Sequence, residues 1–247
     1  MSNYIIIGKI LPERAPISIV LPEIKFSPIV CKESINNAKL SILNNQVYIL
    51  YSTNIEEIGL HDIRNIAKQL IADKLSIIGY LLGYAYEIEL TRIINIERNI
   101  DHVFGIDIPC LADRSKSQAP EAFKDQVNRI NSIISKQNSL SIYIYRCLND
   151  LKQSMVNPDD TGFYCYRAIE SLKQYCKYKY GIESEKDQWA KLSELTGYDS
   201  DKIQFIKEKA DPVRHGDLSV ITDDNRVKIF NDTWDIVDGF FQSVGNE

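Results

Sequence analysis

The sequence predicts an α+β protein in two parts: a small antiparallel sheet with one packed helix, followed by an all-α helical bundle. Three observations predict this. Short β-branched segments separated by turn residues fill roughly the first 112 positions. A polar stretch without periodicity, Leu111–Phe123 (LADRSKSQAPEAF), then interrupts the pattern. Beyond it, apolar residues recur at helical spacing almost to the last residue. Domains are therefore expected over 1–112 and 122–247.

In the first part, Tyr4–Ile10 reads as a short strand. Pro12, Pro16, Pro22 and Pro28 confine the next segment to brief or edge strands. Ala38–Tyr51 (AKLSILNNQVYILY) alternates apolar residues on both sides of Asn44-Asn45, and asparagine tolerates the left-handed backbone of a tight hairpin turn. A helix is expected over about Ile58–Leu82. Tyr86–Ile96 returns to strand, with Val103–Pro109 as its expected partner across Glu97-Arg98-Asn99.

The second part gives helices over Lys124–Ile134, Leu140–Met155, about 160–180, Glu185–Leu195 and Ser200–Ala210. Asp160 or Thr161 caps the third, Gly181 and Gly197 end the third and fourth, and Pro212 stops the fifth. Thr222 or Asp223 caps a last helix whose stripe is Val227, Phe230, Trp234, Val237 and Phe240.

Composition excludes several classes. Hydrophobic residues are 44% and charged residues 26% of 247, which is ordinary for a globular chain. A net charge of -5 argues against broad non-specific nucleic-acid binding, while leaving room for a local basic pocket. The N-terminus lacks a basic region followed by a long apolar core, so a cytoplasmic protein is expected. The apolar stretch Leu75–Ile88 falls short of the ~20 residues a membrane span needs, is broken by Gly79 and Gly83, and reads as buried core with no membrane role.

Cys31, Cys110, Cys147, Cys165 and Cys176 are scattered, with no CxxC pair, and read as small buried hydrophobes. No Gly-rich phosphate loop, GxSxG elbow, HExxH or paired DxD motif occurs, so no metal or other cofactor is expected. His61 and His102 stand alone and read as surface or capping residues. The tyrosines of the second part, among them Tyr143, Tyr145, Tyr164 and Tyr178, read as packing or interface residues, with base stacking as their other use.

The residues with chemical content are Tyr164–Cys176 (YCYRAIESLKQYC) and Ala210–Asp217 (ADPVRHGD). An Arg/Glu-bearing helix, then a short helix ending in arginine, histidine and glycine, then a long helix, resembles a HEPN bundle. More narrowly it resembles the bacterial group labelled methylamine-utilisation J-like. The resemblance covers about Leu140–Gly245, so the second part is expected to be an all-α, HEPN-like helical bundle. The resemblance implies four helices that dimerise through the C-terminal ones and, in active members, cut RNA without metal, using an arginine and a histidine with four to six residues between them. His215-Gly216 matches the histidine end. Glu208, Lys209 and Ala210 occupy the expected arginine positions, and Arg214 directly precedes the histidine instead.

Metal-free RNA cleavage needs a base for the 2′-hydroxyl proton and a cation for the phosphorane, roles suited to histidine and arginine. The candidate catalytic residues are therefore Arg214 and His215. Arg167, Glu170 and Gln174, at i, i+3 and i+7, form a supporting polar face. Adjacent helical side chains diverge by about 100°, so convergence on one phosphate requires a turn near Pro212 and Gly216. The structural reading has Arg214 paired with Glu170 and His215-Gly216 ending a helix.

Two functions are compatible with these residues. One is an RNA-processing or toxin-type effector of bacterial stress or antiviral defence, with RNA as substrate. The other is a non-catalytic module for dimerisation or for docking a partner protein of a multi-component system.

Overall fold

The computed structural model describes residues 1–27, 34–105, 108, 110–112, 120–217 and 221–246. The chain divides into two compact units, Met1–Ile106 and Asp107–Glu247. Positions 113–119 of the expected linker, and Cys31, lie outside the described residues.

The first unit is a seven-stranded antiparallel sheet with one helix. Its strands are β1 (Ser2–Leu11), β2 (Ile19–Val20), β3 (Ile24–Phe26), β4 (Asn36–Leu43), β5 (Gln46–Thr53), β6 (Glu87–Asn95) and β7 (Ile100–Val103), ordered β2-β4-β5-β1-β6-β7 with β3 also on β4. Strict alternation puts Ala38, Leu40, Ile42, Val47, Ile49 and Tyr51 on the buried face. Asn44 (φ 46°) and Asn45 (φ 65°) turn the β4–β5 hairpin left-handed, as their residue type requires. Asn45 also ties down the preceding loop: its Oδ1 accepts from the Ile17 N–H at 2.6 Å.

Helix α1 (Leu60–Leu82) lays Ile63, Ala67, Ile71 and Leu75 into that core. The stripe stops at Leu75, and there the sequence expectation fails. Ile77, Tyr80, Leu81, Leu82 and Tyr84 are exposed rather than core, because the last two turns of the helix have no buried stripe of their own. The strand after Glu97-Arg98-Asn99 also differs from expectation. It begins at Ile100, directly after Asn99 (φ 52°), and is described as far as Val103. The Phe104 N–H still bonds the Thr91 carbonyl at 2.9 Å and its ring is core, while positions 106, 107 and 109 of the expected strand lie outside the described residues.

The second unit is helical: α2 (Pro120–Lys136), a 3₁₀ turn at Asn138–Leu140, α3 (Ser141–Val156), α4 (Thr161–Tyr180), α5 (Glu185–Thr196), α6 (Ser200–Arg214) and α7 (Asp223–Asn246). The central helix is α4, which packs against α3, α5, α6 and α7. Its residues Cys165, Ala168, Ile169, Leu172 and Cys176 are all fully buried. Gly181 (φ 65°) and Gly197 (φ 66°) close α4 and α5 in the left-handed conformation. Cys147, Cys165 and Cys176 are buried, and Cys110 is half-buried.

Four local expectations are corrected. Asp160 makes no side-chain cap; the Thr161 hydroxyl instead bonds back to the Pro158 carbonyl at 2.8 Å. Helix α6 runs through Pro212 to Arg214, because a proline in the last turn forfeits one hydrogen bond while the His215 N–H still reaches Asp211 and Pro212 carbonyls. On α7, Phe230, Val237 and Phe240 are buried as expected, whereas Val227 is exposed. Trp234 is only partly buried, edge-on to Phe230 at 5.7 Å.

Gly162 sets how closely α4 approaches α6. A Cβ there would lie 2.9 Å from the Lys209 carbonyl oxygen and 3.1 Å from its Cβ, so backbone would have to move. Gly162→Ala is expected to lower stability by about 1–3 kcal/mol in chemical denaturation. An unchanged midpoint would show that the α4–α6 contact has slack.

Candidate functional site

The polar residues of α4 divide between two sides of the helix. Arg167 faces α3. Its Nε donates to Asp150 Oδ2 at 2.9 Å and one Nη donates to Asp150 Oδ1, a bidentate pair. Asp150 is 4% exposed, and these bonds raise the Arg167 pKa further. The guanidinium also lies over the rings of Phe163 (5.1 Å) and Tyr164 (5.0 Å). Arg167 therefore has a fixed position while its side chain stays 44% exposed.

On the other side, Lys173 is 4% exposed and its ammonium is held by Glu185 at 2.8 Å, with Glu170 at 4.0 Å and the Trp189 ring beneath it at 4.7 Å. Lys173 in turn holds the Glu185 carboxyl below its ordinary range. Trp189 stacks on Tyr166 at 6.2 Å. Burial pushes the Tyr166 hydroxyl up to about 12; the charges of Glu170, Asp211 and Glu185 push it the same way, and Arg214 pulls against them.

The expected cluster thus comes together in part. Glu170 and Arg214 border the same tyrosine, Arg167 is drawn away by Asp150, and Gln174 is half-buried without a hydrogen bond among the described residues.

Arg214 is the last residue of α6, and His215 follows at φ -93°, ψ 5°. Both side chains are exposed, and among the described residues neither makes a hydrogen bond or an ion pair. The Arg214–Glu170 ion pair of the structural alternative is not formed. Chain reversal comes one residue later, at Gly216 (φ 81°), with the Asp217 N–H bonded to the Pro212 carbonyl. Arg214 keeps its helical backbone, while His215 sits in the bridge region just past the helix end; successive side chains at a helix end still set out about 100° apart.

Sequence reasoning missed Asp150, Lys173 and Trp189, and read Tyr166 only as one of several packing tyrosines. The available signal was charge on an apolar face. Asp150 falls in the stripe Ile144, Cys147, Leu151, and Lys173 lies between Leu172 and Tyr175, so each needs a buried partner. In the first unit, the two histidines read as isolated meet around Phe104: His61–His102 6.1 Å, His61–Phe104 5.5 Å and His102–Phe104 5.0 Å. No group of three metal-ligating side chains occurs among the described residues.

Two family models match the chain in sequence order. Residues 4–104 match the N-terminal domain, and residues 128–245 the C-terminal domain, of a family described as a domain of unknown function, DUF8168. The chain is a two-domain DUF8168 protein. The DUF8168 N-terminal domain is the sheet with α1, and the DUF8168 C-terminal domain holds all the residues of the candidate site. No curated protein and no solved structure matches the chain. Among the described residues, no helix is long and apolar enough to cross a membrane.

Proposed function

We propose that the DUF8168 C-terminal domain cuts RNA without a metal ion, as a HEPN-like effector, through Arg214 and His215. The observation that carries this reading is that both side chains stand exposed and are spent on no bond among the described residues. Had Arg214 closed on Glu170, the pair would have been accounted for by structure alone. In the proposed reaction His215 accepts the 2′-hydroxyl proton. The 2′-oxygen attacks phosphorus, and the bond to the 5′-oxygen breaks as that oxygen takes a proton from water. Arg214 carries the charge of the phosphorane. The products are a 2′,3′-cyclic phosphate and a 5′-hydroxyl.

The divergence of the two side chains favours a site shared by two copies, in which Arg214 of one meets His215 of the other, as the HEPN resemblance implies. Mixed variants test this. Arg214→Ala and His215→Ala, each inactive alone and co-refolded in equal amounts, are expected to regain about a quarter of the parent rate. Half the dimers are then mixed, and each mixed dimer has one intact site of two. No recovery from verified mixed dimers would contradict the shared site.

The docking reading keeps one observation in its favour. Glu170, Glu185 and Asp211 gather beside Arg214 around Tyr166, an acidic setting in a chain of net charge -5. It is the outcome if the parent leaves RNA intact.

A further inference from the structure

A second feature of the same domain is unused by that chemistry. Between α3 and α4 lies a cleft of about 620 Å³, lined by Tyr145, Arg146 and Asn149 from α3 and by Arg167 and Ser171 from α4, with buried Asp150 among them. Its charge runs against that of the chain. Two arginines face one carboxylate, where the whole protein carries -5.

Neither arginine is exhausted by structure. Arg146 is exposed and makes no hydrogen bond or ion pair among the described residues. Arg167 commits its Nε and one Nη to Asp150, which leaves the other Nη group to donate. Asp150 thus fixes the direction of a guanidinium that still reaches solvent, and fixing a donor beforehand lowers the entropic cost of binding.

Aromatic rings run along the same helix pair. Tyr145, 57% exposed, lies in the cleft itself. At one end Tyr178, 56% exposed, stacks on Tyr143 with centroids 5.4 Å apart and planes 12° apart. At the other end, Phe163 and Tyr164 flank Arg167. From Tyr164 to Tyr178, α4 rises about 21 Å, the reach of a few extended nucleotides. A lone phosphate group would use the arginines and leave the exposed rings idle. A duplex keeps its bases stacked inside and has nothing to offer Tyr145. Exposed rings interleaved with uncommitted arginines match a strand whose bases are free.

We propose that the α3–α4 groove binds single-stranded nucleic acid, with phosphates on Arg146 and Arg167 and bases stacked on Tyr145 and Tyr178. The groove deepens the cleavage reading by holding its substrate, but binding there stands or falls separately.

The test uses the full chain and a fluorescein-labelled 12-mer of thymidine, followed by anisotropy at low salt. Lacking 2′-hydroxyls, this strand cannot be consumed by the proposed reaction. Saturable binding that weakens as salt rises is expected. Arg146→Glu and Tyr145→Ala, both exposed positions, should each weaken it about tenfold or more at unchanged melting temperature. A duplex of the same length should bind more weakly.

Absence of saturable binding, parent-like affinity in both variants, or equal affinity for duplex would overturn the groove assignment. Binding of the 12-mer through these residues with RNA left intact would keep the groove and remove the cleavage reading. RNA cleavage without 12-mer binding would do the reverse.

Discussion

His215→Ala is expected to lose RNA cleavage by roughly 10²–10⁴-fold, the usual contribution of a general acid–base residue, while unfolding at the parent's temperature. The second half of that expectation rests on geometry. His215 is exposed, its side chain bonds nothing among the described residues, and its backbone N–H contacts to Asp211 and Pro212 survive the substitution. Arg214→Lys should also be damaging, because a point ammonium does not reproduce a guanidinium fork on phosphate. Its melting temperature should likewise hold, since no ion pair is lost among the described residues. A fall in melting temperature equal to that of a core variant would show that this helix end is structural after all.

The largest effect on stability is expected at Phe240. Its ring is fully buried, edge-on to Tyr175 at 5.0 Å and to Phe241 at 6.0 Å, and so joins α7 to the central helix. Phe240→Ala removes that ring and leaves a cavity that close-packed helices refill only in part. A cost of about 3–5 kcal/mol is expected in urea or guanidinium denaturation. Trp234→Ala should cost less, because Trp234 sits at the margin of the same core. Equal losses at the two positions would mean that Trp234 is buried more deeply than the fold places it. The neighbouring Tyr175 adds a polar tie, since its hydroxyl donates to the buried Gln137 Oε1 at 2.7 Å.

What could be read from the sequence was local. Asn44-Asn45 located a hairpin because few residues accept a left-handed turn, and Gly181 and Gly197 located helix ends for the same reason. The buried stripe of α7 was legible in helical periodicity at Phe230, Val237 and Phe240. Where several elements meet, that reading lost its force. Val103–Pro109 has strand-like composition, yet the partner strand already begins at Ile100, and of the expected segment only Val103 belongs to it among the described residues. The exposed end of α1 has the composition of a core. On α4, helical spacing set Arg167 and Glu170 within one turn of each other, but could not show that Asp150 would hold Arg167 on the α3 side while Glu170 lies beside Lys173 and Tyr166. Periodicity gives the angle around a helix and does not identify the neighbour on each side.

The central claim, metal-free RNA cleavage at Arg214 and His215, is tested most directly by incubating the full chain with total RNA in excess chelator, beside His215→Ala. Fragments ending in 2′,3′-cyclic phosphate with the parent, and their loss with the variant at unchanged melting temperature, are the expected result. RNA left intact by a folded, dimeric parent, or cut equally well by His215→Ala, would contradict it.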